Sequence, residues 1–200
     1  MNMIDDEEEG IKVILVGESG TGKTSLINTA LGKEFNDKEI SSMKCSYVKL
    51  KKIIDDTEYT IDLWDTIGQE KFRSLTKVFF KNSDIVIFVF DITQKQSFDD
   101  LEYWFKTIEE ELGDGPIKGL AANKQDLFEK QEVDDNTIQI YAHKKGLKFK
   151  FTTATNPTNF NKLLEELLND FLKNGTSEKR KKIIGKKLTK KKVKDKKKRC

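Results

Sequence analysis

The chain is poor in cysteine and histidine and has no long apolar run, and each shortage removes a class of protein. Only Cys45 and Cys200 are cysteines among 200 residues. A disulfide framework is excluded, and the reducing cytosol is the expected compartment. The single histidine, His143, falls in an expected exposed helix and reads as a surface residue, not a catalytic base. No stretch of 18 apolar residues occurs, so no transmembrane helix is expected. The start, Met1 to Glu9, is acidic and leads into no apolar core of the kind a signal peptide carries.

Charge of either sign is plentiful but unevenly placed. Residues 176–200 hold fourteen Lys and Arg against Glu178 and Asp195, a charge of +12. The other 175 residues hold 23 basic and 32 acidic side chains, a charge of −9. A mildly acidic domain followed by a basic arm is the organisation this implies. Three parts are expected: a flexible acidic stretch at 1–10, one folded domain at 11–174, and a disordered basic tail at 175–200.

The most informative stretch is Gly17-Glu18-Ser19-Gly20-Thr21-Gly22-Lys23-Thr24. It matches the phosphate-loop pattern G-x-x-x-x-G-K-[ST] at every fixed position. Ile11 to Val16 before it reads as a buried strand, and Ser25 to Leu31 after it has helical spacing. Glycines there let successive N–H groups face inward around an anion. The start of the helix adds unpaired N–H groups and the positive end of its dipole. Lys23 places a charge on β- and γ-phosphates, and the Thr24 hydroxyl can ligate Mg²⁺.

The rest of the chain alternates strands and helices. Strands are expected at Cys45–Ile54, Tyr59–Trp64, Asp84–Asp91, Ile117–Ala122 and Leu147–Thr152, with a turn at Asp55–Glu58. The first two of these form an antiparallel hairpin at a sheet edge. Helices are expected at Ser97–Leu112, with Ser97 and Asp100 as its start signal, at Asn136–Lys145 ending on Gly146, and at Phe160–Leu172 closed by Gly175. Lys33 to Met43 reads as a loop. The pattern predicts an α/β sandwich of three layers with a mostly parallel sheet, whose ligands sit at the carboxyl ends of the strands.

The loops at those ends carry chemistry. Asp65-Thr66-Ile67-Gly68-Gln69-Glu70 offers a carboxylate for a phosphate-bound Mg²⁺, through water, a backbone N–H at Gly68 for a γ-phosphate, and the Gln69 amide to orient an attacking water. Asn123-Lys124-Gln125-Asp126 offers Asp126, whose carboxylate can accept from both N1–H and the 2-amino group of guanine. Asn123 would bond the base edge and tie neighbouring loops, and the Lys124 stem would cover a ring face. In Thr152-Thr153-Ala154-Thr155 the Ala154 N–H could bond the guanine O6. These strings follow the phosphate loop in order, each at a strand end.

With these motifs, over about residues 11–173, the chain resembles a Ras-superfamily small GTPase of the Rab branch. Leu63-Trp64-Asp65-Thr66, Glu70 to Thr76 and Phe88 to Gln94 are similar to Rab strings, and Phe79-Phe80-Lys81 is similar to the Rab Tyr-Tyr-Arg segment. The resemblance implies a phosphate-loop G domain with a mostly parallel six-stranded sheet, one antiparallel edge strand and helices on both faces. It implies a GTP/GDP switch that hydrolyses GTP, slowly without an activating protein, with Mg²⁺ as cofactor. Phosphates would meet Glu18, Ser19, Gly20, Thr21, Gly22, Lys23, Thr24, Ser25 and Gly68. Guanine would meet Phe35, Asn123, Lys124, Asp126, Thr153, Ala154 and Thr155. Mg²⁺ would take Thr24, Ser42 and, through water, Asp65, while Gln69 and Lys23 serve catalysis.

The chain departs from the family in both switches. Ser42-Met43-Lys44 stands where Rabs carry Thr-Ile-Gly, and Lys44-Cys45-Ser46-Tyr47 replaces their Gly-Val-Asp-Phe effector string. Ile67 replaces an alanine beside the γ-phosphate, and its stiff side chain favours an alternative: a weakly hydrolysing guanine-nucleotide-binding membrane adaptor. Thr155 replaces a common lysine. Exchange factor, activating protein and effectors are expected at Ser42–Tyr47 and Gly68–Phe80, on a monomer. The basic tail with a prenylated Cys200 would hold the chain peripherally on the cytosolic face of an endomembrane or the plasma membrane. Rabs usually offer two cysteines there. A nuclear or nucleic-acid-binding arm is the competing reading of the tail.

Overall fold

The computed structural model describes residues 10–36, 46–66, 78–174 and 183. Six strands form one sheet: β1 (Ile11–Val16), β2 (Ser46–Ile54), β3 (Thr57–Asp65), β4 (Ile85–Asp91), β5 (Ile117–Asn123) and β6 (Lys148–Phe151). Their order is β2-β3-β1-β4-β5-β6. All neighbours run parallel except β2 and β3, so the expected antiparallel edge strand is present. The helices are α1 (Lys23–Ala30), α2 (Lys95–Asp99), α3 (Leu101–Leu112), α4 (Asp135–Lys144) and α5 (Thr158–Asn174).

Alternating side chains explain why both faces are covered. In β4 every residue is buried. Ile85, Ile87 and Val89 join Val13, Leu15 and the apolar stripe of α5 on one face. Val86, Phe88 and Phe90 join Ile14, Val16, Trp104, Ile138 and Ala142 on the other. A strand with apolar residues at every position is stable only between two helix layers. Ile183, inside the basic stretch, packs partly buried against the first cluster.

Several boundaries differ from the sequence reading for local reasons. The hairpin turn is only Asp55-Asp56, both at positive φ, and Thr57 and Glu58 join β3. Two residues in the left-handed region suit the right-handed twist of a hairpin. The expected single helix at 97–112 is two, broken at Asp100, and it begins at Lys95. Ser97 is not its cap. The buried Ser97 hydroxyl accepts from the Asp91 N–H at 3.0 Å and donates to the Gln94 carbonyl at 2.7 Å, pinning α2 to the end of β4. Asp134 caps α4 by accepting from the Thr137 N–H at 2.9 Å. Hydrogen bonds from Thr137 hold the Asp134 carboxyl below its usual pKa. Gly146 follows that helix at φ +64°, and His143 is exposed, as expected. A 3₁₀ helix at Gln125–Lys130 was not anticipated. Gly175, expected to close α5, lies outside the described residues.

Candidate nucleotide site

The strand order reverses at β1, with β3 on one side and β4 on the other. Loops leaving the carboxyl ends diverge there and open a crevice. The phosphate loop stands at that point. Gly17 and Gly22 have φ of +147° and +93°. A Cβ on Gly17 would strike the Val89 carbonyl oxygen, and one on Gly22 would strike the Asn123 side-chain amide. Both positions therefore require glycine on steric as well as backbone grounds. Gly22 precedes α1 without a side-chain cap, so the helix start presents backbone donors toward the crevice.

Lys23 curls back under the loop. Its ammonium donates to the carbonyls of Gly17 at 2.8 Å and Glu18 at 2.7 Å. Burial pushes its pKa down to about 8, against the opposing pull of Asp65 and Glu18. The fully buried Thr21 donates its hydroxyl to the Glu18 carbonyl at 2.9 Å. The Glu18 side chain points away to α3, where Oε1 accepts the Trp104 indole N–H at 3.0 Å. Nothing local in the sequence marks this tie across 86 residues. Glu18→Ala is expected to speed nucleotide dissociation about tenfold, and Glu18→Gln less, from a charge-assisted bond of about 1.5 kcal/mol. Stopped-flow release of a fluorescent GDP analogue measures both; equal rates would show that the loop does not need the tie.

The cation-binding candidates meet because β1 and β3 are parallel neighbours, with Leu15 opposite Asp65. Thr24 Oγ1 donates to Asp65 Oδ2 at 2.7 Å, and Thr66 Oγ1 donates to the Leu15 carbonyl at 2.5 Å. A hydroxyl and a buried carboxylate are hard oxygen donors that fit Mg²⁺. No group of three or more His, Cys, Asp and Glu side chains that could hold a metal exists among the described residues. Ser42, Gly68 and Gln69 lie outside the described residues, as do Lys44, Ile67 and Cys200.

The base-side candidates converge from β5 and β6. The buried Asn123 side chain donates to the Thr21 carbonyl at 2.8 Å and accepts from the Thr152 hydroxyl at 3.1 Å. It therefore ties the phosphate loop to the loop after β6. Lys124 adopts φ +66° and sends its ammonium to Asp91 Oδ2 at 2.6 Å. Asp91 is fully buried, and its Oδ1 accepts from both the N–H and the hydroxyl of Thr93. The Thr153 hydroxyl donates to Asp126 Oδ1 at 2.5 Å and accepts from the Thr155 N–H at 3.1 Å. Gln125, Asp126, Phe128 and Thr153 line an open cavity of about 290 Å³. Ala154 is nearly buried, while Phe35, after α1, is 46% exposed. Asp91 and Thr152 were passed over as strand ends. A carboxylate closing an all-apolar run was the signal that could have marked Asp91.

A phosphate loop on a parallel sheet, tied through Asn123 to the loops after β5 and β6, defines a phosphate-loop nucleotide-binding domain. The model of the Ras family matches residues 12–173. The Ras-related protein Rab-21 of Homo sapiens is 35% identical over 162 residues, covering 81% of this chain and 70% of that protein. Rab-21 of Bos taurus is likewise 35% identical, with 81% and 71% covered. The Ras-related protein YPTC6 of Chlamydomonas reinhardtii is 28% identical over 166 residues, covering 83% and 77%. The chain belongs to the Ras family, as a small GTPase of the Rab branch that binds guanine nucleotide and hydrolyses GTP.

Proposed function

We propose that this chain is a GTP/GDP-regulated switch of intracellular vesicle traffic, held on a membrane by its basic tail. The observation that carries the nucleotide part is Asn123, whose one amide joins the phosphate loop to the loop after β6. Phosphates and base are thereby gripped by one connected frame. Lys23 and the loop N–H groups balance charge on the phosphates, and Asp126, with Ala154, reads the guanine edge. Thr24, Ser42 and, through water, Asp65 would hold Mg²⁺, which would neutralise phosphate charge. Gln69 orients the attacking water, and Gly68 offers its N–H to the γ-phosphate. Phe35 lies against the guanine, with the Lys124 stem on a ring face.

Single-turnover hydrolysis tests the switch. Gln69→Leu is expected to slow GTP cleavage by at least about tenfold, because an unoriented water reacts less often. Equal rates would remove Gln69 from the mechanism. Ile67 and Lys44 favour the adaptor reading, in which hydrolysis hardly occurs. An Ile67→Ala protein no faster than wild type would count against it.

A row of rings supports partner binding at Ser42–Tyr47 and Gly68–Phe80. Tyr47, half exposed, stacks on Trp64 with centroids 5.0 Å apart, and Trp64 meets Phe79 at 6.1 Å. Aromatic side chains are common anchors at interfaces. Among the described residues no helix is long and apolar enough to cross a membrane. Anchoring is assigned to the basic stretch and a prenylated Cys200. The mass of the tail peptide from native cells shows the lipid directly. A Cys200→Ser protein that leaves membranes would also argue against the nucleic-acid reading of the tail.

A further inference from the structure

Lys12 is a charged residue in β1, one of the two central strands, and its side chain makes contacts outside the nucleotide site. Its backbone N–H donates to Asp84 Oδ2 at 2.8 Å, and its carbonyl accepts from the Asp84 N–H at 2.9 Å. The side chain then leaves the sheet. Its ammonium donates to the carbonyls of Phe79 at 2.7 Å and Lys81 at 2.9 Å. The same ammonium stands 4.4 Å from the centre of the Trp64 ring.

These three contacts have one physical logic. Residues 78–80 are a helical turn, and Asn82, at φ +59°, follows it in the left-handed conformation. Carbonyls at the end of such a turn lack partners within it and carry partial negative charge. An ammonium satisfies them and meets the negative face of an indole at the same time. One cation therefore touches the backbone of Phe79 and the ring of Trp64, two neighbouring members of the aromatic row. Ring contact between them is tilted, at 40°, with centroids 6.1 Å apart.

We propose that Lys12 is a positioning residue for the aromatic row: it bolts the chain at 79–81 to β1 and sets Phe79 against Trp64. This deepens the reading of the row as a partner surface, but its own contacts carry it. The same bolt joins the chain just after residue 77 to the strand that leads into the phosphate loop. Methionine keeps an unbranched stem close to that of lysine but lacks the terminal ammonium, so it cannot donate to the two carbonyls. Arginine keeps donors and can stack on the indole.

The test uses the full chain bound to GDP. With 5-fluorotryptophan incorporated, its two tryptophans give separate ¹⁹F lines. Lys12→Met is expected to shift the Trp64 line and leave the Trp104 line, held by Glu18, in place. Amide exchange at residues 79–82 is expected to quicken by about tenfold or more. Lys12→Arg restores both, and GDP affinity stays within about twofold in either variant. An unmoved Trp64 line with unchanged exchange in Lys12→Met overturns the proposal. Should that variant fail to fold, the wild-type protein decides. Its Lys12 ε-methylene protons are expected upfield under the indole ring, returning to an ordinary position in Trp64→Leu. An ordinary position in wild type overturns the proposal equally. Neither readout involves a partner, so the partner-surface reading stands or falls separately.

Discussion

Lys23→Met is expected to lower the affinity for GTP and GDP by about a thousandfold. The wild-type ammonium is buried against two carbonyls. Losing one partner of a buried, charged hydrogen-bonded contact costs about 2–5 kcal/mol, and the loop carbonyls lose their donor as well. The variant should still fold, because its stem can fill the same channel. Titration of nucleotide-free protein measures the loss, and a change under threefold would exclude Lys23 from phosphate binding. The pH dependence has a definite sign. Burial holds the Lys23 pKa at about 8, below that of an unfolded lysine. The unfolded chain therefore binds more protons between about pH 8 and 10.5, and this group makes folding of the nucleotide-free protein more favourable as pH rises through that window. Phosphate oxygens reverse the balance by favouring the charged form. Nucleotide binding should thus take up about half a proton near pH 8 and less toward pH 7. Calorimetry in buffers of different ionisation enthalpy measures this uptake, and Lys23→Met should abolish it.

Asp126→Asn should exchange one base for another. A carboxylate accepts from the two donors of guanine, N1–H and the 2-amino group. An asparagine side chain presents one acceptor and one donor, which repels the 2-amino group but matches the 2-carbonyl of xanthine. Two hydrogen bonds to a charged acceptor contribute about 1.5–3 kcal/mol each, so GTP affinity should fall by about 10²–10⁴-fold while xanthosine triphosphate gains. The Thr153 hydroxyl already holds one Asp126 oxygen at 2.5 Å, so the replaced amide stays oriented. Competition between the two triphosphates decides the matter. A variant that still prefers GTP would mean that Asp126 does not read the base.

Much of the site could be read from spacing because its requirements are local. The phosphate loop needs glycines at fixed offsets, and Gly17 and Gly22 occupy positions where a Cβ would strike Val89 or Asn123. The strands were legible as apolar runs, and the stop at Gly146 as a left-handed residue. The break at Asp100 was not legible. Apolar residues at helical spacing run from Phe98 to Leu112 across it, while what pins the start of α2, the bond between Ser97 and the end of β4, joins it to another element.

Other partners were hidden for the same reason. Lys124 and Asp91 meet because β4 and β5 pair with Asp91 opposite Asn123. Thr24 meets Asp65 because β1 lies beside β3. Glu18 finds Trp104, and Lys12 finds Phe79, across the sheet and its helices.

The sequence by itself determined the phosphate loop, the alternation of strands and helices, and the residue types offered to phosphate and guanine. Backbone conformation and hydrophobic period are properties of neighbouring residues, so they survive in a linear reading. Only the tertiary structure decided which charges meet. A carboxylate and an ammonium far apart in the chain become partners through strand order and register, and no local pattern encodes either.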